Sequence, residues 1–400
     1  MYNLSKLISE KGYPDALIDH HDIYSPKYAI YEFEEEFIIN HNGTSVINNK
    51  ELDGNPIINF QKILNSWKKS GEYISAFGFI SYDIKNLIYP NLNFKKIDSS
   101  FPLLWFGKPK KMFPYNITSL EKIIKPCTLK LKDGLINYNN YKEKIKLIKK
   151  HLYMGDSYQI NYTEPFYYET FDDSFEIYMS LRKNVRPLYG CFLKKEDYSI
   201  LSFSPESFIK TNKNIIESYP MKGTIKRSKN KKIDNQLLNE LKNSIKDKAE
   251  NLMIVDLIRN DLGKICEINS IKVDSLFNIQ SFPTVHQMTS KITGKLKKNK
   301  INESDIIFSL FPGGSITGAP KQKSVEIIDY LENYNRGVYT GSMGYITNKG
   351  NINLNIAIRT LKINNNIGVY PVGGGITWAS TPKNEWLEAI QKTKILSLLN

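Results

Sequence analysis

Cysteine is scarce in this chain: three in 400 residues, at Cys127, Cys191 and Cys266, isolated and without Cys-x-x-Cys spacing. Such usage argues against a disulfide framework and a thiolate zinc site, and fits a reducing cytoplasm. Long apolar runs are missing as well. No stretch reaches the roughly 18 uninterrupted apolar residues of a membrane span. The N-terminal Met1-Tyr-Asn-Leu-Ser-Lys-Leu-Ile-Ser-Glu10 has no apolar core of a secretory signal. The glycine-rich stretches Gly313-Gly314 and Gly373-Gly-Gly375, read as turns able to offer N–H groups to an anion, match neither Gly-x-Gly-x-x-Gly nor Gly-x-x-x-x-Gly-Lys-Ser/Thr. A nucleotide site therefore has little support. No repeat of fixed period occurs.

What is present suffices for a large core. Hydrophobic residues make up 41% and aromatics 12% of the chain, enough for two domains or one lobed body. The net charge of +14 comes from lysines scattered among Asn and Ile rather than gathered in one stretch. Neither a nucleic-acid nor a membrane partner is expected, and a basic field would instead help draw in a dianionic substrate.

Tyr28–Phe33 and Phe37–Asn40 read as short strands, with a hairpin signal at His41-Asn-Gly-Thr44. Gly78–Asp83 reads as a further strand, and Pro102–Pro114, rich in Pro, Lys and aromatics, as a boundary region. Tyr141, Ile145, Ile148 and Leu152 share helical spacing up to Met154, with Gly155 at the C-cap. Asn364–Asn366 and Lys297–Lys300 read as exposed turns. Strand and helix signals alternate irregularly, which points to α+β rather than a doubly wound sheet. The division expected is an N-terminal region over 1–120, contributing strands, and a catalytic domain over 121–400.

Several residues could carry chemistry. Glu250 opens the apolar segment Leu252–Ile258, read as buried, and shares a helix face with Ile254 and Ile258. A carboxylate there needs a partner, either a metal or a salt bridge to Arg259 or a nearby Lys. Asp256, Arg259, Asn260 and Asp261 read as a scaffolding network. Ser380-Thr381-Pro382 caps a C-terminal helix whose Glu385, Glu388 and Lys392 fall on one side. Two carboxylates from separate segments suit Mg²⁺, and a solvated Glu388–Lys392 pair is the plainer alternative. Arg359, read as lying in an apolar strand, suits either bidentate recognition of a carboxylate or a structural ion pair. His286 is either a proton-transfer group or a satisfied core residue. In Pro220-Met-Lys222-Gly-Thr224 a primary amine stands beside a glycine, and it too has a plain reading as a solvated loop charge.

Taken in order, Pro220–Thr224, Glu250–Asp261, Phe311-Pro-Gly-Gly-Ser-Ile-Thr-Gly-Ala-Pro-Lys321 and Gly373–Gly375 resemble the chorismate-binding enzyme family across residues 135 to 395. The resemblance implies an anthranilate synthase component I-like α+β fold, with large antiparallel sheets packed as a sandwich and flanking helices. Gln159, in Gly155-Asp-Ser-Tyr-Gln159, stands where the isochorismate- and salicylate-forming members carry a water-activating lysine, and so implies ammonia as nucleophile. Lys222 stands where anthranilate-forming members typically carry alanine. It implies the branch that makes 4-amino-4-deoxychorismate, for p-aminobenzoate and folate, through a covalent lysine intermediate. By the same resemblance Glu250 and Glu388 would hold Mg²⁺. Thr224, Tyr339, Arg359, Gly374, Gly375 and Lys392 would bind substrate, with Lys222, Glu206 and His286 catalytic. Ile376-Thr-Trp378-Ala-Ser-Thr381 departs from the family's usual Ile-Val-Ala-Asp-Ser.

None of the cysteines sits in the Gly-x-Cys-x-Gly turn of a class I glutaminase, and little chain follows the Glu388 helix. The expectation is a heterodimer with a separate glutaminase subunit, and a separate lyase downstream. Anthranilate synthase chemistry and an idle chorismate-binding paralogue are the alternatives.

Overall fold

The computed structural model describes residues 1–21, 27–95, 100–117, 126–133, 137–282, 285–297 and 301–399. The fold is α+β, a large antiparallel sheet system with helices packed on it. Among the described residues the one parallel pairing joins Tyr2–Asn3 to Tyr115–Asn116.

The N-terminal strands are longer than their sequence suggests. Lys27–Ile39 is a single strand of 13 residues, and Leu104–Asn116, expected as a boundary, is its antiparallel partner. Pro109 falls where the register of that ladder slips, opposite Phe33, so its missing N–H costs no regular hydrogen bond. Ile74–Ile80 pairs with Leu104–Asn116 on one side and with Ser342–Thr347 on the other. Ala16–Asp19 pairs with Tyr189–Lys194. The described strands up to Asn116 thus share sheets with the later ones, and the expected boundary at 120 lies outside the described residues.

The glycine triplet lies in a strand, not a turn. Ile367–Ile376 runs antiparallel to Gln159–Glu169 over ten consecutive pairs, from Ile367↔Glu169 to Ile376↔Ile160. Glycine ordinarily weakens a strand. Here a Cβ at Gly373 would lie 2.0 Å from the Tyr162 carbonyl oxygen, so the neighbouring backbone leaves room for nothing larger. Asn365 and Asn366, both at positive φ, turn the chain from Thr360–Asn364 into this strand, as a two-residue hairpin loop requires.

Of the helices, Tyr138–Tyr153 buries Tyr141, Ile145 and Ile148, the residues its spacing picks out. Ile245–Ile265, capped by Ser244, buries Asn251, Ile254, Val255, Leu262 and Ile265. It is not buried throughout, as its apolar run suggested: Leu252 is 44% exposed, and Asp256 pairs with Arg259 in solvent. Only Asp261 of the expected network is inside, held by Lys321 at 2.5 Å and Lys264 at 2.9 Å. The three cysteines are free and buried. Among the described residues no helix is long and apolar enough to cross a membrane.

Candidate active site

Lys222 lies on the short strand Met221–Lys226, whose pairing with Val285–Lys295 breaks register between Met221 and Thr224. Gly223 makes the break possible. It sits at φ +84°, and a Cβ there would meet Asp247 at 2.9 Å. A bulge of this kind re-aims the side chain beside it. Among the described residues the Lys222 amine has neither a hydrogen bond nor an ion pair. Burial is the main cause that lowers its pKa below the ordinary lysine value. Glu250 and Glu206 oppose the shift, Lys392 adds to it, and Glu388 opposes it again. Three separate segments, two helices and a strand connection, thus bring charged groups onto one amine.

Glu206 is buried in the connection between Ser199–Ser204 and Ser207–Asn212. Its backbone is pinned on both sides: its N–H donates to Ser204 Oγ at 3.1 Å, and its carbonyl accepts from Ile356 N–H at 3.0 Å. Ser315 Oγ donates to Glu206 Oε1 at 2.8 Å. Burial pushes the carboxyl up to about 7, against the pull of Ser315 and Lys222. Near neutral pH it can therefore give or take a proton.

Two helices bring the remaining acids. Glu250 is raised first by burial, with Lys222 and Lys246 pulling down and Asp247 and Glu388 pushing up. Of the ion partners expected for it, Arg259 is engaged with Asp256, and the nearby lysine is Lys246, 3.9 Å away. On Pro382–Thr393, Lys392 Nζ donates to Glu388 Oε1 at 2.7 Å and to the Gly373 carbonyl at 2.6 Å. Burial alone would raise Glu388, but Lys392, then Lys222 and Lys246, hold it below the usual range. Its side chain is 57% exposed, so it lines an open cleft. A Cβ placed on Gly374 would be 3.5 Å from Glu388 Oε1 and Lys392 Nζ and 3.6 Å from Glu385 Oε2. The bare glycine thus leaves space beneath three charged groups. Next to it, Gly375 packs on the fully buried Gln159 amide, neither of whose polar atoms has a protein partner among the described residues.

The acids fit a hard divalent cation. Burial first of all raises Glu250 and Glu385, and the charge of Glu388 adds to both, a cost that a cation would relieve. Among the described residues no three His, Cys, Asp or Glu side chains stand close enough to hold a metal alone. The carboxylates would therefore share the ion with water and substrate oxygens.

Other expected residues lie differently. Arg359 is not in a strand but in the connection before Thr360–Asn364, half-buried and at φ +50°. It and the buried Tyr339 both act on the Tyr370 phenol. Thr224 is exposed, opposite Gln287. His286 is held at both ring nitrogens. Its Nδ1 meets Ser281 Oγ at 2.8 Å and its Nε2 meets Asp234 Oδ1 at 3.2 Å, and Asp234 is in turn gripped by Arg227. With both ring nitrogens engaged in this buried pairing, His286 is a satisfied core residue. Trp378, at the departure from the family pattern, is 62% exposed and packs on Tyr153.

Sequence reasoning missed Ser315, although it stands inside the quoted Gly313–Lys321 run, and it left Glu385 undecided beside Glu388. The buried Arg336 was missed as well. It pairs with Glu332 at 2.7 Å and donates to the carbonyls of Asn161 (2.7 Å) and Ile316 (3.1 Å), tying the strand opposite Gly375 to the segment carrying Ser315.

An amine of lowered pKa, a buried acid poised near 7 and carboxylates beside a bare glycine strand together make up the candidate site. A profile of the chorismate binding enzymes matches residues 122–397, and the chain belongs to that family. It is 40% identical over 252 residues to aminodeoxychorismate synthase component 1 of Escherichia coli (strain K12), an alignment covering 63% of this chain and 55% of that protein. It is 37% identical over 264 residues to anthranilate synthase component 1 of Saccharolobus solfataricus, covering 66% and 62%. The chain thus spans little more than half the length of these curated relatives. In fold it is similar to the crystal structure of anthranilate synthase component I from Streptococcus pneumoniae TIGR4, with a TM-score of 0.81 over 95% of this chain and 93% of that one, at 24% identity.

Proposed function

We propose that the chain is the chorismate-aminating subunit of an aminodeoxychorismate synthase, a cytoplasmic enzyme that turns chorismate and ammonia into 4-amino-4-deoxychorismate and water, for p-aminobenzoate and folate. The observation that carries this reading is the unpaired Lys222 amine, its pKa lowered by burial, with the buried acid Glu206 acting on it. The relatives named aminodeoxychorismate synthase support it.

Lys222, as the free amine, bonds to ring carbon C2. Both ring double bonds shift and the C4–O bond breaks, with Glu206 giving its proton so that the hydroxyl leaves as water. Ammonia then bonds to C4, both ring double bonds return, and the C2–N bond breaks to restore the Lys222 amine; the new C4 nitrogen keeps its third proton as an ammonium, and Glu206 is left as a carboxylate. Only an unprotonated lysine has the electron pair to attack, which is what a lowered pKa supplies. Mg²⁺, bound through Glu250 and Glu388, would neutralise the ring carboxylate of the substrate. Arg359 and Tyr339 bind the enolpyruvyl carboxylate, with Thr224, Lys392 and the backbone of Gly374 and Gly375 completing the pocket. Ammonia comes from glutamine through a separate class I glutaminase subunit.

Incubation of the purified chain with chorismate, Mg²⁺ and an ammonium salt, followed by mass spectrometry, tests the reading. The expected product is 4-amino-4-deoxychorismate, formed from ammonia and not from glutamine. Anthranilate with pyruvate would overturn it in favour of anthranilate synthase, and no turnover would favour an idle paralogue.

A further inference from the structure

Beside Glu206 lies a cavity of about 30 Å³ whose polar lining is Glu206, Ser207, Glu217, Ser218, Asp261 and Ser315. It is far too small for a ring substrate, but has room for about two water molecules. One lining group asks for such a ligand. The Ser207 hydroxyl is buried, at 3% exposure, and has no hydrogen-bond partner among the described residues. Left dry, a buried hydroxyl forfeits the hydrogen bonds it makes in water. Ser315 occupies Oε1 of Glu206, and no protein donor among the described residues takes Oε2. Glu217, in the same lining, is 22% accessible to solvent and is held by Lys291 at 3.1 Å and Tyr219 at 2.8 Å.

We infer that this cavity is a water site, organised by Ser207, through which Glu206 exchanges its proton with solvent. The inference rests on the acid role proposed for Glu206. Once Glu206 has given its proton to the departing hydroxyl it is a carboxylate. The cavity water donates a proton to Oε2 and takes one from solvent on the Glu217 side, and nothing is oxidised or reduced. The charged groups facing this path are Lys222 on the substrate side, Asp261 with its partners Lys321 and Lys264, and Glu217 with Lys291. Ser207 is thus a positioning residue, acting through the water it holds.

The test uses the full chain with chorismate, Mg²⁺ and ammonium salt. Ser207→Ala removes the hydroxyl, and Ser218→Val fills the cavity from the other side without touching the Ser315–Glu206 bond. Both should keep KM for chorismate and lower kcat roughly tenfold, less than the roughly 10²-fold or more lost in Glu206→Gln. Both should also enlarge the solvent deuterium isotope effect on kcat, which a structural role would not move. If both variants match the parent in kcat and isotope effect, the relay is refuted while the acid role stands. If Glu206→Gln itself retains full activity, the acid role beneath it falls.

Discussion

Replacing Glu206 by Gln removes a buried acid while keeping the side chain's shape and an acceptor for the Ser315 hydroxyl 2.8 Å away. In the folded chain burial raises this carboxyl from 4.5 to about 7. At about 1.36 kcal/mol per pH unit, that displacement corresponds to about 3 kcal/mol. The sign follows from proton counting. Between about 4.5 and about 7 the folded state holds the proton and the unfolded state has released it, so stability falls as pH rises across that window. Below it the wild-type chain bears no cost; above it the cost is complete. Gln is neutral throughout and bears none. Glu206→Gln should therefore gain stability over the wild type between pH 4 and pH 8, by up to about 3 kcal/mol. Urea unfolding of both proteins at several pH values measures it, because other titrating groups cancel in the difference. The same variant should lose roughly 10²-fold or more in turnover, the usual exchange of stability for function at an active site. A stability difference that does not change with pH, or one that shifts against Gln at pH 8, would refute the reasoning.

Lys222→Ala should lower 4-amino-4-deoxychorismate formation by roughly 10²-fold or more with unchanged circular dichroism, and full activity would sink the covalent route. Chelation should abolish turnover and added Mg²⁺ restore it, while Glu388→Gln or Glu250→Gln should raise the Mg²⁺ concentration needed; parental behaviour at low Mg²⁺ would remove that residue from the ligand set. Arg336→Met strands the Glu332 carboxylate, both partners being at most 2% exposed, and should cost about 3–5 kcal/mol in denaturant unfolding. Gly373→Ala should misfold or be strongly destabilised because its Cβ meets backbone at 2.0 Å, whereas Gly374→Ala, with nearest contacts at 3.5 Å, should fold and raise KM for chorismate.

The fold class was legible in the irregular alternation of strand and helix signals, whereas Glu206, Glu250 and Glu388 were singled out by the family resemblance rather than by their spacing. The 138–153 helix announces itself through Tyr141, Ile145 and Ile148, while Lys222, locally no more than a loop charge beside Gly223, stands out only through the order of motifs around it. What escaped depends on distant neighbours. Gly373–Gly375 reads as a turn until the Tyr162 carbonyl and the Gln159 amide are seen to exclude any side chain. Pro102–Pro114 reads as a boundary until Pro109 is found at a slip in the ladder. His286 offers no local sign of Asp234, which comes from a helix 52 positions earlier. The apolar run at Leu252–Ile258 hides the fact that its helix rests on the protein by one face alone.

The Pro382–Thr393 helix carries Glu385, Glu388 and Lys392 yet fully buries only Ala389. Its aromatic anchor is Trp386, with ring centroids 5.6 Å from Tyr138 and 5.0 Å from Tyr141. An element seated on so few buried side chains should open locally before the central strands do, with its amide protons the earlier to exchange. Any ligand gripping Glu388 and Lys392 must also hold this helix down, so part of its binding free energy goes into quieting local motion. Slowed deuterium uptake over 382–393 then reports occupancy of the cleft directly, even in a variant that turns nothing over.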